Sequence, residues 1–162
     1  MSDGSFQDRE DAEEELERQE EYGDWLRFAR LDYESAKYLY NGSLYPKPIE
    51  IICYHCQQAA EKAVKALIVY FGSQGGMPKV HDIAFLLNQM KNIVRKEKKI
   101  EIDDALMEVA DGLSKYGVAP RYPNEMYIND SLTDKAFRDA TTIIEWVQYV
   151  IDAEPVSDEG SE

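Results

Sequence analysis

CYHCQQAAEKAVKALIVYFG, residues 53–72, decides the fold. Its opening CYHC holds three of the chain's four cysteines and histidines, and the rest has the small-residue spacing of a buried helix. Each residue of a helix advances about 100°. Cys56, Ala59, Ala60, Ala63, Ala66, Leu67 and Tyr70 therefore share one wide face, predicted to lie inward. Side chains this small let a neighbouring helix approach to the short end of the usual ~8–10 Å separation. The same rotation sets Cys53 and Cys56 about 60° apart but turns His55 about 100° away from Cys56, so one helix cannot aim all three at one ion. Cys-x-x-Cys zinc sites draw on a second ligand pair, and His81 is the one remaining soft ligand. Cys53, Cys56 and His81 form the minor, three-ligand metal alternative. A redox dithiol belongs at a helix N-terminus after a strand, and no βαβ pattern surrounds IEII at 49–52. Core packing is the reading adopted for both cysteines, and no metal or cofactor is expected.

Outward from this helix, predicted to start near Ile49 and end at Phe71, the chain reads as more helices. DWLRFARLDYESAKYLYNG places Trp25, Phe28, Ala29, Ala36 and Leu39 on one face, with Asp24 as cap and Asn41-Gly42 as stop. HDIAFLLNQMKNIV sends Ile83, Leu86, Leu87, Met90 and Val94 inward, and KEKK at 96–99 reads as a charged break. EIDDALMEVADGLSKY offers Ile102, Leu106, Val109 and Leu113. The irregular GVAPRYPNEMYINDS follows, of a length often functional in compact domains. The last helix, from 131, buries Ala136, Ala140, Ile143, Ile144, Val147 and Val150, with Ser131 and Asp134 spaced as a capping box. No alternating strand and no internal repeat is found. The predicted fold is all-α, an antiparallel up-and-down bundle of four to five helices.

Charge supports a division into parts. The net charge of -14 is uneven: residues 1–22 hold ten acids against two arginines, and 153–162 four acids with no base, which leaves -2 between them. Residues 1–23 are expected to be an acidic disordered tail and 153–162 another, flanking a bundle over 24–152. The opening MSDGSFQD is not a signal peptide, and no apolar run approaches the roughly 20 residues a membrane helix needs. A cytoplasmic protein with reduced thiols is expected, with no membrane partner.

The residues that can do chemistry favour anion binding. Lys62 and Lys65, three apart on one helix, are surface neighbours. Lys79, His81 and Arg121 come from loops that can approach them, and together these groups can bracket a phosphate. The competing reading pairs Lys65 with Glu61 at the i,i+4 spacing. Gln57, Gln58 and Glu61 are polar positions in the middle of an otherwise apolar helix. Gln58 is expected to hydrogen-bond a loop backbone, while Gln57 stays open between that duty and reading a base edge. His81-Asp82 reads first as a helix cap. Tyr122, held extended by Pro123, can stack on a base or pin its loop to the bundle. Eleven tyrosines, several of them clustered, suit an interface. RKEKK at 95–99 reads as a solvated turn.

YHCQQAAEKAVKAL, a loop, VHDIAFLL, and a late KYGVAPRYP before the final helix resemble the HEPN family (higher eukaryotes and prokaryotes nucleotide-binding) over about Asp24 to Asp152. The resemblance implies a helical bundle, often dimeric. Some members are ribonucleases or ribonuclease toxins, many are encoded beside a minimal nucleotidyltransferase antitoxin, and others are nucleotide-binding or interaction modules. The ribonucleases carry an arginine, then four to six intervening residues, then a histidine, for acid–base work and phosphate binding. Here Glu50, Ile49 and Pro48 stand in those places before His55, Gly76, Gly75 and Gln74 stand in them before His81, and no histidine follows Arg121. The expectation is a HEPN-like domain that binds a nucleotide or a nucleotidyltransferase-type partner in a toxin–antitoxin-like pair, as a homodimer, without turning over substrate. The alternatives are a ribonuclease or RNA-binding protein using a different residue set, and a purely structural interaction module.

Overall fold

A computed structural model of the chain describes residues 4–72, 77–117 and 130–157. It is all-helical over these residues: α1 (Gly4–Asn41), α2 (Ile49–Tyr70), α3 (Ile83–Lys98), α4 (Asp104–Ser114), a single 3-10 turn (Lys115–Gly117) and α5 (Asp130–Asp152). The stretch that opens at Cys53 is the centre of the antiparallel bundle. α2 packs chiefly on α1 and α5 and also touches α3 and α4, while α3 lies on α4 and α4 on α5. Its small residues do what their size suggests. Cys56, Ala59, Ala60, Ala63 and Ala66 have no exposed surface, with α1 contributing Ala29 and Ala36 and α5 Ala136 and Ala140 to the same core. Larger groups fill the remaining space, among them Ile52, Leu67, Leu86, Leu87, Leu113 and Ile143.

Both thiols are free and buried in this core. Burial pushes Cys53 up to about 11, with the Thr133 hydroxyl pulling back in part, and pushes Cys56 up to about 12. Burial thus favours the protonated thiol at both positions. Among the described residues no group of three His, Cys, Asp or Glu side chains is placed to hold a metal.

Helix ends follow local chemistry. Asp82 accepts from the Phe85 amide at 3.0 Å and caps α3; Asp103 accepts from Leu106 at 2.8 Å and caps α4. α3 ends on Lys99 in the left-handed region (φ 56°), whose amide reaches the Arg95 carbonyl. The basic run at 95–99 is thus the last turn of a helix rather than a solvated turn. Arg95 forms a two-pronged pair with Glu101, and the buried Lys98 ammonium donates to the Tyr70 hydroxyl (2.8 Å) and to the carbonyls of Ile151 and Ala153 beyond the end of α5. Ser131 lies inside α5, and Asp134 accepts from the Tyr40 hydroxyl at 2.6 Å.

Two expectations change. The first helix begins at Gly4, not Asp24, so the acidic stretch is its N-terminal extension; Asp24 pairs with Arg27 instead of capping. Side chains 6–17 are exposed, and only from Arg18 onward does this extension meet the bundle, with Arg18 beside Gly72 and Tyr22 edge-on to Tyr70 at 5.4 Å. Phe28 faces solvent under the Arg27 guanidinium, and Leu26 and Tyr33 pack on the core from α1. No helix among the described residues is long and apolar enough to cross a membrane.

Candidate functional site

The middle of α2 carries a carboxylate that packing has taken out of water. Glu61 is 3% exposed, and a buried charge stays ionised only where donors replace its solvent. Four side chains do so. Lys65, one turn on, donates to Oε1 at 2.8 Å, and the His81 ring nitrogen Nδ1 stands 2.9 Å from the same oxygen. Gln57, one turn back, donates to Oε2 at 2.9 Å, and Gln58 makes a longer contact at 3.4 Å. Burial alone would raise the carboxyl's pKa, but the bonds from Lys65, Gln57 and His81 outweigh it and hold Glu61 below its ordinary value.

This assembly fixes a tautomer. An ionised carboxylate only accepts, so Nδ1 of His81 carries the proton and donates it. The other nitrogen, Nε2, makes no hydrogen bond among the described residues, on a side chain that is 77% exposed. His81 is therefore a ring anchored from behind and presented to solvent. The loop-backbone bond expected of Gln58 is made instead by Gln57, whose role the sequence leaves open. Gln57 is wholly buried and donates to the His81 backbone carbonyl at 3.2 Å, tying the loop before α3 to α2; Gln58 donates to the Gln57 side-chain oxygen at 2.7 Å.

The two lysines point to different neighbours. Lys65 is engaged by Glu61 and lies 5.7 Å from the centre of the Trp25 ring on α1. Lys62 pairs with Asp32 of α1, which also receives the His55 ring at 2.9 Å. Both ammonium charges are thus met by carboxylates. Lys79 is exposed, two residues ahead of His81, with no ion pair among the described residues. Arg121 and Tyr122 lie outside the described residues. Gly117, the last described residue before them, lies against Gln57: a Cβ there would stand 3.3 Å from the Gln57 side-chain carbonyl carbon. Asp32, His55 and Trp25 were not singled out as site residues, because no spacing along one helix reveals a partner on another.

An all-α bundle built on a small-residue helix, with a polar node where that helix meets the loop before α3, defines a helical-bundle class. The family profile of the HEPN domain matches residues 22–150, and the chain belongs to the HEPN family. It resembles the crystal structure of ST0689, described as an archaeal HEPN homologue, with 28% identity, a TM-score of 0.58, and coverage of 81% of this chain and 98% of that one. It also resembles the crystal structure of TT1696 from Thermus thermophilus, with 26% identity, a TM-score of 0.61, and coverage of 80% and 97%. No curated protein matches the chain.

Proposed function

We propose that this HEPN domain is the binding half of a toxin–antitoxin-like pair: it holds a nucleotide, or a nucleotidyltransferase-type partner, and does not itself turn over substrate. One observation carries the reading. His81 is locked through Nδ1 on Glu61, with no hydrogen bond at Nε2 of its exposed ring and no ion pair at nearby Lys79 among the described residues. An imidazole held this way offers Nε2 as an acceptor to a donor on a base edge, such as an exocyclic amine, without first being ordered, which lowers the cost of binding. Arg121 and Tyr122 join it in the proposal, as a phosphate fork and a stacking ring, since Gly117, four residues before Arg121, lies beside Gln57. The reading without turnover draws on the absence of an arginine with four to six intervening residues before either histidine. The buried, reduced thiols suit a cytoplasmic setting.

Calorimetry with ATP tests this. Binding that falls about fivefold in His81→Ala, as expected for loss of one neutral hydrogen bond worth ~1 kcal/mol, supports it. No heat at millimolar nucleotide, together with no complex with a neighbour-encoded nucleotidyltransferase, defeats it. Cleavage of RNA by the wild type that is lost in His81→Ala would instead establish a ribonuclease with a non-standard residue set.

A second reading, an interaction module working as a homodimer, has its own observation. Phe28, Leu31 and Tyr38 recur along one exposed side of α1, and Leu44 and Tyr45 follow it, all open to solvent. Exposed apolar groups gathered in this way mark contact surfaces. Sedimentation of the wild type beside Leu31→Glu distinguishes a dimer from a monomer.

A further inference from the structure

α1 is the edge of the bundle. It packs chiefly on α2, and α5 packs on α2 as well, but α1 and α5 scarcely meet each other. The groove left between them has two parts, of about 290 and 590 Å³, which share Tyr33. Its floor is apolar: Leu26, Ala29 and Ile144 line one half, and Tyr33, Tyr40 and Phe137 the other. Phe137 meets the two tyrosines edge-on, at 5.9 and 5.2 Å between ring centres. Its rim is basic beside Tyr40. Lys37 of α1 and Arg138 of α5 are exposed and have no ion pair among the described residues, and Lys47 stands 4.4 Å from the centre of the Tyr40 ring. Asp134, the carboxylate on that lining, accepts from the Tyr40 hydroxyl. The α1 wall from Leu26 to Asn41 runs for about 22 Å, the length of roughly four helical turns.

The other end of α1 is a helix without a seat. Side chains 6–17 are exposed, and this arm spans about 18 Å. At about 100° per residue, Phe6, Ala12 and Leu16 fall within about 120° of one another. Glu14 and Arg18, which line a cavity against the end of α2, lie roughly opposite, so the apolar side turns away from the bundle. Phe6 and Leu16 are 67% and 57% exposed there. Glu10 and Glu13 border the same side, and neither has an ion pair among the described residues. Arm and groove therefore match in length, in apolar surface and in the sign of their charge. Both belong to one continuous helix, Gly4–Asn41, so the arm cannot enter the groove of its own chain.

We propose that the acidic arm of α1 packs into the α1–α5 groove of a second copy of the chain, with Phe6 and Leu16 on its apolar floor and Glu10 and Glu13 toward Lys37 and Arg138. The contact joins two different surfaces. It uses neither the Glu61 node nor the outer face at Phe28, Leu31 and Tyr38.

The test uses full chains in the ultracentrifuge. The wild type should self-associate, less so as salt rises. An arm variant, Phe6→Glu with Leu16→Glu, removes the apolar anchors; a groove variant, Lys37→Glu with Arg138→Glu, reverses the rim. All four side chains are exposed, so both variants should melt as the wild type does. Each alone should associate about tenfold more weakly or worse. Mixed in equal amounts they should regain a dimer, because one supplies an intact groove and the other an intact arm. Adding Leu31→Glu to both should leave that mixed dimer in place. The proposal is overturned by a wild type that stays monomeric at millimolar concentration, or by undiminished association in either variant. It is equally overturned by a mixture no better associated than its components, or by loss of the mixed dimer with Leu31→Glu. A monomeric wild type that captures polylysine through Phe6 and Leu16 would assign the arm to a basic partner and rule out the contact between copies.

Discussion

The bundle contains the same three residue types twice, and the two sets do different work. Glu61, Lys65 and His81 form one carboxylate–lysine–histidine group; Asp32, Lys62 and His55 form the other. In the first, the carboxylate is 3% exposed and receives two glutamines as well, while its histidine is 77% exposed. In the second, the carboxylate is 14% and the histidine 27% exposed, so both ends of the contact sit in the seam between α1 and α2. The second group fastens two helices. The first has its anchor inside and its imidazole outside, which is how a protein presents a ring to something it binds. Residue type does not separate the two; the direction in which burial falls off does.

The contrast can be broken most forcefully at Glu61. Glu61→Ala leaves the Lys65 ammonium buried without its partner, and chemical denaturation should show a loss of about 3–5 kcal/mol. A loss under about 1 kcal/mol would mean that Lys65 reaches water and the node is not a buried one. Acid gives a second, smaller handle. The folded Glu61 carboxyl titrates below its ordinary value of 4.5, so its stabilisation is complete above that pH and fades as pH falls through the lowered value. Stability of the wild type should therefore decline below about pH 4.5 more steeply than that of Glu61→Gln, read from urea midpoints across the acid range.

At the other group the effect should shrink. Asp32→Ala frees a lysine and a histidine that already touch solvent, and about 1–2 kcal/mol is expected, measured the same way. The smallest change should come from His81→Ala. Its ring is mostly in water, so stability should stay within about 0.5 kcal/mol of wild type. A destabilisation as large as that of Asp32→Ala would make His81 a structural clasp like His55, and would remove the contrast.

Much of the fold was legible because burial leaves a pattern on a helix. The alanine face of α2 and the Ile83, Leu86, Leu87, Met90, Val94 stripe of α3 are inward where the spacing puts them. Asp82 caps α3 as read. The start of α1 was not legible. Residues 6–17 have no apolar face to show a period, and a helix held by local pairs such as Arg18–Glu15 resembles a charged coil in composition. Phe28 misled for the converse reason: a large ring at core spacing lies just off the buried stripe, as Ala29 beside it is fully inside.

The site was legible only along one helix. Glu61 and Lys65 are a turn apart and pair as their spacing suggests. That Gln57 rather than Gln58 bonds the loop backbone turns on a single step of about 100°, finer than a polar run in an apolar helix can specify. Asp32 with His55 joins two different helices, and no local motif marks the pair.

Imidazole nitrogen spectra of the full chain, recorded with and without ATP, test the central claim most directly. The account predicts that His81 carries its proton on Nδ1 in the free protein and that only its Nε2 signal moves as nucleotide is added. A proton on Nε2 in the free protein, or a His81 ring unmoved at saturating nucleotide while binding occurs elsewhere, would contradict it.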